Sequence, residues 1–160
     1  CGLFCPSCTI FIGSTDEPER LSKLANRLGQ SVESTRCAGC RSEKRTGYCQ
    51  TCKMAACIGK KGFKFCIECE EYPCAELKSF QGVYAHRIEL WKWQERIKEA
   101  GYEQWFHEMI EHFSCPECHT INSAFDIVCR KCGNEPSCNY VKVNQQAIID
   151  RNLTKTLNNN

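Results

Sequence analysis

The chain has 160 residues, 16 of them cysteine, and a formal net charge of +2. Setting the cysteines aside leaves an apolar share of about a third, which excludes a fold held by a large hydrophobic core alone and points to covalent or metal staples. No run of eighteen apolar residues occurs, so a membrane-spanning helix is excluded, and no signal peptide is expected within these residues, which carry no basic, apolar and small-residue leader.

In chain order, Cys1, Cys5 and Cys8 open the sequence as C-x3-C-x2-C, and a short apolar run, Ile10 to Ile12, follows. Ser14 or Thr15 is expected to cap a helix beginning near Asp16, with Pro18 tolerated in its first turn. Leu21, Leu24, Ala25 and Leu28 then recur at helical spacing and Gly29 is the expected stop, which reads as a helix packed on a metal core. From Cys37 to Cys74 the order is C-x2-C-x8-C-x2-C-x4-C-x8-C-x2-C-x4-C. Cys49, Cys52 and Cys57 recur seventeen residues later as Cys66, Cys69 and Cys74, with Tyr48 and Phe65 in equivalent places before them. Val83 to Phe113 reads as two helices broken at Gly101, carrying the stripes Leu90, Trp93, Ile97 and Tyr84, Ile88, Trp91, and then Trp105, Phe106, Met109, Ile110 and Phe113. This aromatic set is expected to form the main apolar cluster rather than a base-stacking platform. Cys115, Cys118, Cys129 and Cys132 have the spacing of a zinc ribbon or a rubredoxin-like site. Beyond Gly133 the chain is polar, with Cys138, a β-compatible run Tyr140 to Val143, and an Asn-rich end that reads as an interaction arm or a frayed terminus.

The spacing separates metal ligands from disulfides. Six C-x2-C pairs occur (Cys5/Cys8, Cys37/Cys40, Cys49/Cys52, Cys66/Cys69, Cys115/Cys118 and Cys129/Cys132), and each can aim two sulfurs at one point in space. Disulfide scaffolds join distant segments instead. Metal binding implies a reducing compartment, so the expected location is cytoplasmic, without a membrane. Four thiols that lose their protons and take up Zn²⁺ add a net −2, so three such sites would turn +2 into −4. The basic segment Arg36 to Lys64 holds Arg36, Arg41, Lys44, Arg45, Lys53, Lys60, Lys61 and Lys64 against the single acid Glu43. It reads as an offset to thiolate charge in preference to a nucleic-acid patch.

One set of motifs is specific. Cys1-Gly2-Leu3-x-Cys5-x-x-Cys8, Cys37-x-Gly39-Cys40, Gly47-Tyr48-Cys49 with Cys52 and Cys57, Lys61-Gly62, and Cys66-x-x-Cys69-x-x-Tyr72-Pro73-Cys74 with Leu77 together resemble the cysteine-rich bacterial and archaeal family called domain of unknown function 3795. The resemblance covers roughly Cys1 to Phe113, where His86, Gly101 and Trp105 extend it, and it implies a small cytosolic metal-binding domain, with zinc the expected ion. It carries no substrate.

The fold expected is a small α+β, metal-stapled protein: a cysteine-rich core of zinc knuckles (1–80), a helical pair (81–113), a C-terminal zinc ribbon (114–133) and a polar tail (134–160). The expected ligands are Cys1, Cys5, Cys8, Cys37, Cys40, Cys49, Cys52, Cys57, Cys66, Cys69, Cys74, Cys115, Cys118, Cys129 and Cys132, binding three or four Zn²⁺. Eight cysteines between Cys37 and Cys74 suffice for two sites, leaving Cys1, Cys5 and Cys8 to be completed by His86, Cys138, solvent or a substrate. Which knuckles share a metal stays open. The alternative cofactor is a [4Fe–4S] cluster in the N-terminal core, for electron transfer or redox sensing. A radical-SAM reading of C-x3-C-x2-C fails because the chain has no room for the barrel and has Ser7 where an aromatic residue is usual. Cys138 reads as a free thiol whose change to serine is nearly silent. His107 and His112 lie five apart, off the spacing for one metal, and His119 flanks a knuckle, hydrogen-bonding a sulfur or facing water. No carboxylates pair convincingly, so no catalytic residues are expected. The function expected is a structural and recognition module for a protein or nucleic-acid partner.

Overall fold

The structure, a computed structural model, describes residues 2–82 and 84–158. Cys1 lies outside the described residues. Among the described residues eight α-helices follow one another: α1 (Thr9–Thr15), α2 (Pro18–Leu28), α3 (Val32–Thr35), α4 (Gly47–Gln50), α5 (Lys53–Lys60), α6 (Ala75–Gly82), α7 (Leu90–Phe113) and α8 (Asn139–Asn158). Short 3₁₀ turns lie at Cys5–Ser7, Cys66–Glu68 and Ala85–Arg87. No strand forms among the described residues, so the expected α+β fold is corrected to an all-helical one. The only trace of β pairing there is an isolated bridge between Ser114 and Ile121. The Cys115–Cys132 segment folds by turns around its sulfurs, and its backbone amides and carbonyls bond within those turns instead of across a sheet.

α2 is the helix that the spacing of its leucines predicts. Leu21 and Ala25 are fully buried, and Gly29 ends it in the left-handed region at φ 62°, where a side chain would be strained. Its start differs from the expectation. Ser14 and Thr15 sit in the last turn of α1 and bond back to the carbonyls of Ile10 (2.8 Å) and Phe11 (3.0 Å), and Glu17 takes the N-cap position of α2. α1 and α2 pack closely at Gly13, where a Cβ would stand 3.0 Å from the Leu21 nitrogen.

α7 breaks at Gly101 (φ 81°, ψ 169°), as the sequence suggests. The break is a reversal. Trp93 and Phe113 are twenty residues apart, which in a straight helix means about 30 Å, yet their ring centroids are 5.9 Å apart. Arg96 reaches across the two limbs to Glu108 with a two-pronged ion pair (2.8 and 2.5 Å). The limbs thus form a helical hairpin, and its apolar inside is the expected aromatic core. Phe4 stacks on Phe113 (5.7 Å) and Phe113 on Tyr140 (4.7 Å), with Trp93 and Trp105 edge-on. Burying such rings contributes about 2 kcal/mol or more each relative to exposure.

The run Tyr140 to Val143 is helical, not extended, and the expected tail is α8. Tyr140, Val141 and Ile148 are fully buried against the hairpin, and the Tyr140 hydroxyl donates to the Ala85 carbonyl. Gly2 closes the N-terminal end. At φ 82° it lets the backbone pass Gln94, whose buried side chain accepts from the Ile67 amide (3.0 Å).

Candidate metal centre

Cys115, Cys118, Cys129 and Cys132 bring all four sulfurs within 4.8 Å of one another. The Cys115–Cys132 and Cys118–Cys129 sulfurs are each 3.6 Å apart. A tetrahedral ion with metal–sulfur bonds of about 2.3 Å spaces its ligands about 3.8 Å apart, so the four thiols lie close to a closed tetrahedral shell.

Two copies of one turn produce this arrangement. The Cys115 amide donates to Thr120 O (2.9 Å) and the His119 amide to Cys115 O (3.0 Å). In the second copy the Cys129 amide donates to Asn134 O (2.8 Å) and the Gly133 amide to Cys129 O (3.0 Å). The residue after each second cysteine is left-handed: His119 at φ 57° and Gly133 at φ 78°. His119 thus serves as a turn residue with an exposed side chain.

Donors converge on the sulfurs. The Lys131 and Cys132 amides hydrogen-bond Cys129, and Thr120 bonds Cys118 through its hydroxyl (3.3 Å) and its amide. Burial works against ionisation of Cys129, but these amides and the neighbouring sulfurs outweigh it and hold the thiol at about 6. Thr120 likewise holds Cys118 below the ordinary thiol range. The Asn134 amide favours a Cys132 thiolate, yet the Cys118, Cys115 and Cys129 sulfurs, with burial, push it up to about 12. Four thiolates at this spacing cannot all carry charge without a cation among them.

Asn122, which the spacing of cysteines does not reveal, ties the two turns together. It is fully buried, donates to Thr120 O (2.9 Å) and Ser137 O (3.2 Å), and accepts from the Arg130 amide (3.0 Å). The centre is also bolted to the α1–α2 junction. Arg130 pairs with Glu17 (2.6 Å) and Asp16 (2.5 Å), and Arg20 reaches Asp126 (3.0 and 3.2 Å). The segment therefore packs as part of the molecule.

The other expected ligands gather in two places. In the first, the Cys40 amide donates to the Cys5 sulfur (3.3 Å) and the Gly39 amide to the Cys37 sulfur (3.4 Å). Cys40 bonds Cys49, which lowers Cys49, while Cys40 itself is pushed up to about 12, mainly by that bond, with burial adding. Cys5 is pushed up by its bond to Cys40 and by burial. Burial pushes Cys8 up, and Cys5 and Cys37 are near enough to add repulsion. The second place is a cavity of ≈ 390 Å³ lined by Cys57, Cys66, Cys69 and Cys74. Cys52 packs against Met54, Leu77 and Leu90.

The candidates for a distant ligand are engaged elsewhere. His86 stacks on Tyr84 (5.5 Å) and meets Phe125 edge-on. Cys138 is buried in the aromatic core, where the Val141 and Tyr140 amides bond its sulfur at the start of α8. His112 is set between Glu89 (2.7 Å) and Asn139 (2.9 Å). Among the described residues, no helix is long and apolar enough to cross a membrane.

No curated protein and no solved structure matches the chain. A family model described as protein of unknown function (DUF3795) matches residues 1–79. The match ends before the α7 hairpin, so the suggested extension to Phe113 and the C-terminal thiol cluster both lie outside it. Residues 1–79, just under half of the chain, carry this match together with the ordered cysteine motifs.

Proposed function

We propose that this is a multi-site metal protein whose closed thiolate centres hold the fold and present a surface to a protein partner. The observation that carries the reading is the doubled turn that sets Cys115, Cys118, Cys129 and Cys132 at near-tetrahedral spacing. Zinc is the ion proposed. With four thiolates it forms a closed shell that contributes folding energy and leaves no open position for hydrolysis. Within that shell this chain's residues do the orienting: the amides of Lys131 and Cys132 hold Cys129, Thr120 holds Cys118, and Asn122 locks both turns.

The charges favour a protein partner over nucleic acid. Arg36 pairs with Glu33, Lys53 with Glu76 and Lys61 with Glu71, and the Arg41 guanidinium lies 4.2 Å over the Phe65 ring. Much of the basic segment is thus engaged within the chain. Binding to nucleic acid would weaken steeply with salt, whereas a captured partner retained at high salt supports the reading. Cobalt substitution tests the centre itself: tetrahedral thiolate coordination gives intense visible and thiolate-to-metal bands, and a weak octahedral spectrum would count against it.

A second reading, an iron–sulfur protein for electron transfer or redox sensing, is favoured by one observation. Five thiols, those of Cys5, Cys8, Cys37, Cys40 and Cys49, gather in the N-terminal half and can supply the four cysteines that a cluster takes.

A further inference from the structure

The ≈ 390 Å³ cavity lies between α5, the turn at Cys66–Glu68 and the start of α6, and three separate segments deliver cysteines to it. Cys57 comes from within α5, Cys66 and Cys69 from the two ends of the 3₁₀ turn, and Cys74 from the residue before α6. Local helix geometry sets their approach: the Cys69 amide donates to Cys66 O (3.1 Å), and the Lys78 amide to Cys74 O (3.1 Å). Cys66 and Cys74 both pack against the same apolar cluster of Met54, Leu77 and Leu90 at the back of the cavity. At the rim, the Lys61 ammonium touches the Cys69 sulfur (3.3 Å) and Glu71 (3.0 Å). A cation on a sulfur is the partner a thiolate needs, and a neutral thiol does not.

We propose that Cys57, Cys66, Cys69 and Cys74 form one four-thiolate site for a thiophilic ion of the zinc class, with Lys61 as its outer charge partner. The donor set is all sulfur, which selects zinc or iron over magnesium or calcium. The assignment settles a pairing that spacing leaves open. Cys57 joins the Cys66/Cys69 turn instead of the nearer Cys49/Cys52 pair, and Cys5, Cys8, Cys37, Cys40 and Cys49 belong to another centre. It deepens the multi-site reading but stands apart from the Cys115–Cys132 centre. The two also differ in character. Each set has one exposed cysteine, Cys57 or Cys132, but the other three of the Cys57 set are all half-buried, whereas Cys115 and Cys129 are buried. The ion at Cys57 should therefore be the first that a chelator removes.

The test uses the full wild-type chain, reduced and handled without air, loaded with Zn²⁺, pulsed with a maleimide and read by peptide mass spectrometry. A free exposed thiol such as Cys57 labels fast, and a metal-bound one labels about tenfold more slowly or less. The expected result is that Cys57, Cys66, Cys69 and Cys74 become protected together on loading. They should become reactive together on adding chelator, before Cys115, Cys118, Cys129 and Cys132 do. Full-rate labelling of Cys57 in zinc-saturated protein overturns the proposal, as does a mass showing that these cysteines are blocked as disulfides. In parallel, the variant carrying Cys66→Ser and Cys74→Ser should lose one ion per chain while the C-terminal four stay protected. Unchanged metal content would refute the site. Labelling of Cys115, Cys118, Cys129 and Cys132 in the saturated protein would instead sink the C-terminal centre and leave this one standing.

Discussion

Replacing Asn122 by alanine tests what holds the C-terminal centre together while leaving all four cysteines in place, although its amide also donates to the Cys129 sulfur (3.7 Å). The side chain is fully buried, and its removal strands the Ser137 carbonyl, which belongs to a fully buried residue, and the Arg130 amide inside the second turn. Each buried group left without a partner costs about 1–3 kcal/mol, so the loss should be about 3 kcal/mol. The Thr120 carbonyl is half-buried and water can replace that bond, so it adds little. Since metal binding and folding are coupled at such a site, the same penalty should appear as a metal affinity lower by about a hundredfold. Urea denaturation of the zinc-loaded protein reads the first quantity and competition with a chromophoric chelator the second. A change below about 1 kcal/mol, or stability lost with affinity unchanged, would refute the claim that Asn122 couples the two turns.

Four other expectations follow. Cys138→Ser should cost less than about 1 kcal/mol, because its hydroxyl can accept from the Tyr140 and Val141 amides as the sulfur does, whereas Cys138→Val should cost about 1–2 kcal/mol by thermal melting. The silence foreseen from sequence would then hold for a buried capping residue in place of an idle thiol. Gly2→Ala should cost about 2 kcal/mol or more, since φ is 82° and the new Cβ would collide with the buried Gln94 side chain; an unchanged melt would contradict this. Zinc affinity at the C-terminal centre should fall with acidification, since thiolates bind and thiols do not. Above about 6 Cys129 is already ionised and asks for no proton release; below it one more proton must leave per ion. A plot of log Kd against pH should therefore steepen below about pH 6, as measured by chelator competition, and a constant slope would argue against the amides holding Cys129. Arg130→Met should loosen the centre from the α1–α2 junction by breaking its pairs with Glu17 and Asp16, and amide exchange at Cys129–Gly133 should rise about tenfold while zinc stays bound.

What could be read from the sequence follows from which interactions are local. α2 was legible because Leu21 and Ala25 repeat on one helical face and Gly29 supplies the left-handed stop. The break at Gly101 was legible for a similar reason, but its reversal was not: the contacts that fold it, Arg96 with Glu108 and Trp93 with Phe113, are long-range. α8 escaped notice because its buried residues, Tyr140, Val141 and Ile148, are few and separated by Asn and Gln, so its helical face is too thin to register. The start of α2 was misplaced because serine and threonine hydroxyls can serve a cap or bond back within a helix, and only the approach of Leu21 to Gly13 decides which. At the metal centre, C-x2-C spacing marked the four sulfurs because each pair is a local turn. Asn122 left no mark, being a single amide whose farthest partner, Ser137, lies fifteen residues along the chain. The grouping of Cys5 and Cys8 with Cys37, Cys40 and Cys49 was equally hidden, since the distance between knuckles in space is set by how α1 and α2 fold between them.

Metal content per chain tests the account most directly, measured on protein purified without air, with a visible spectrum of the same sample. The account predicts a colourless protein with about three zinc ions, one of which is lost when Cys118 and Cys132 are changed to serine. A brown sample containing iron and sulfide, or a folded and reduced chain that binds no metal at Cys115–Cys132, would contradict it.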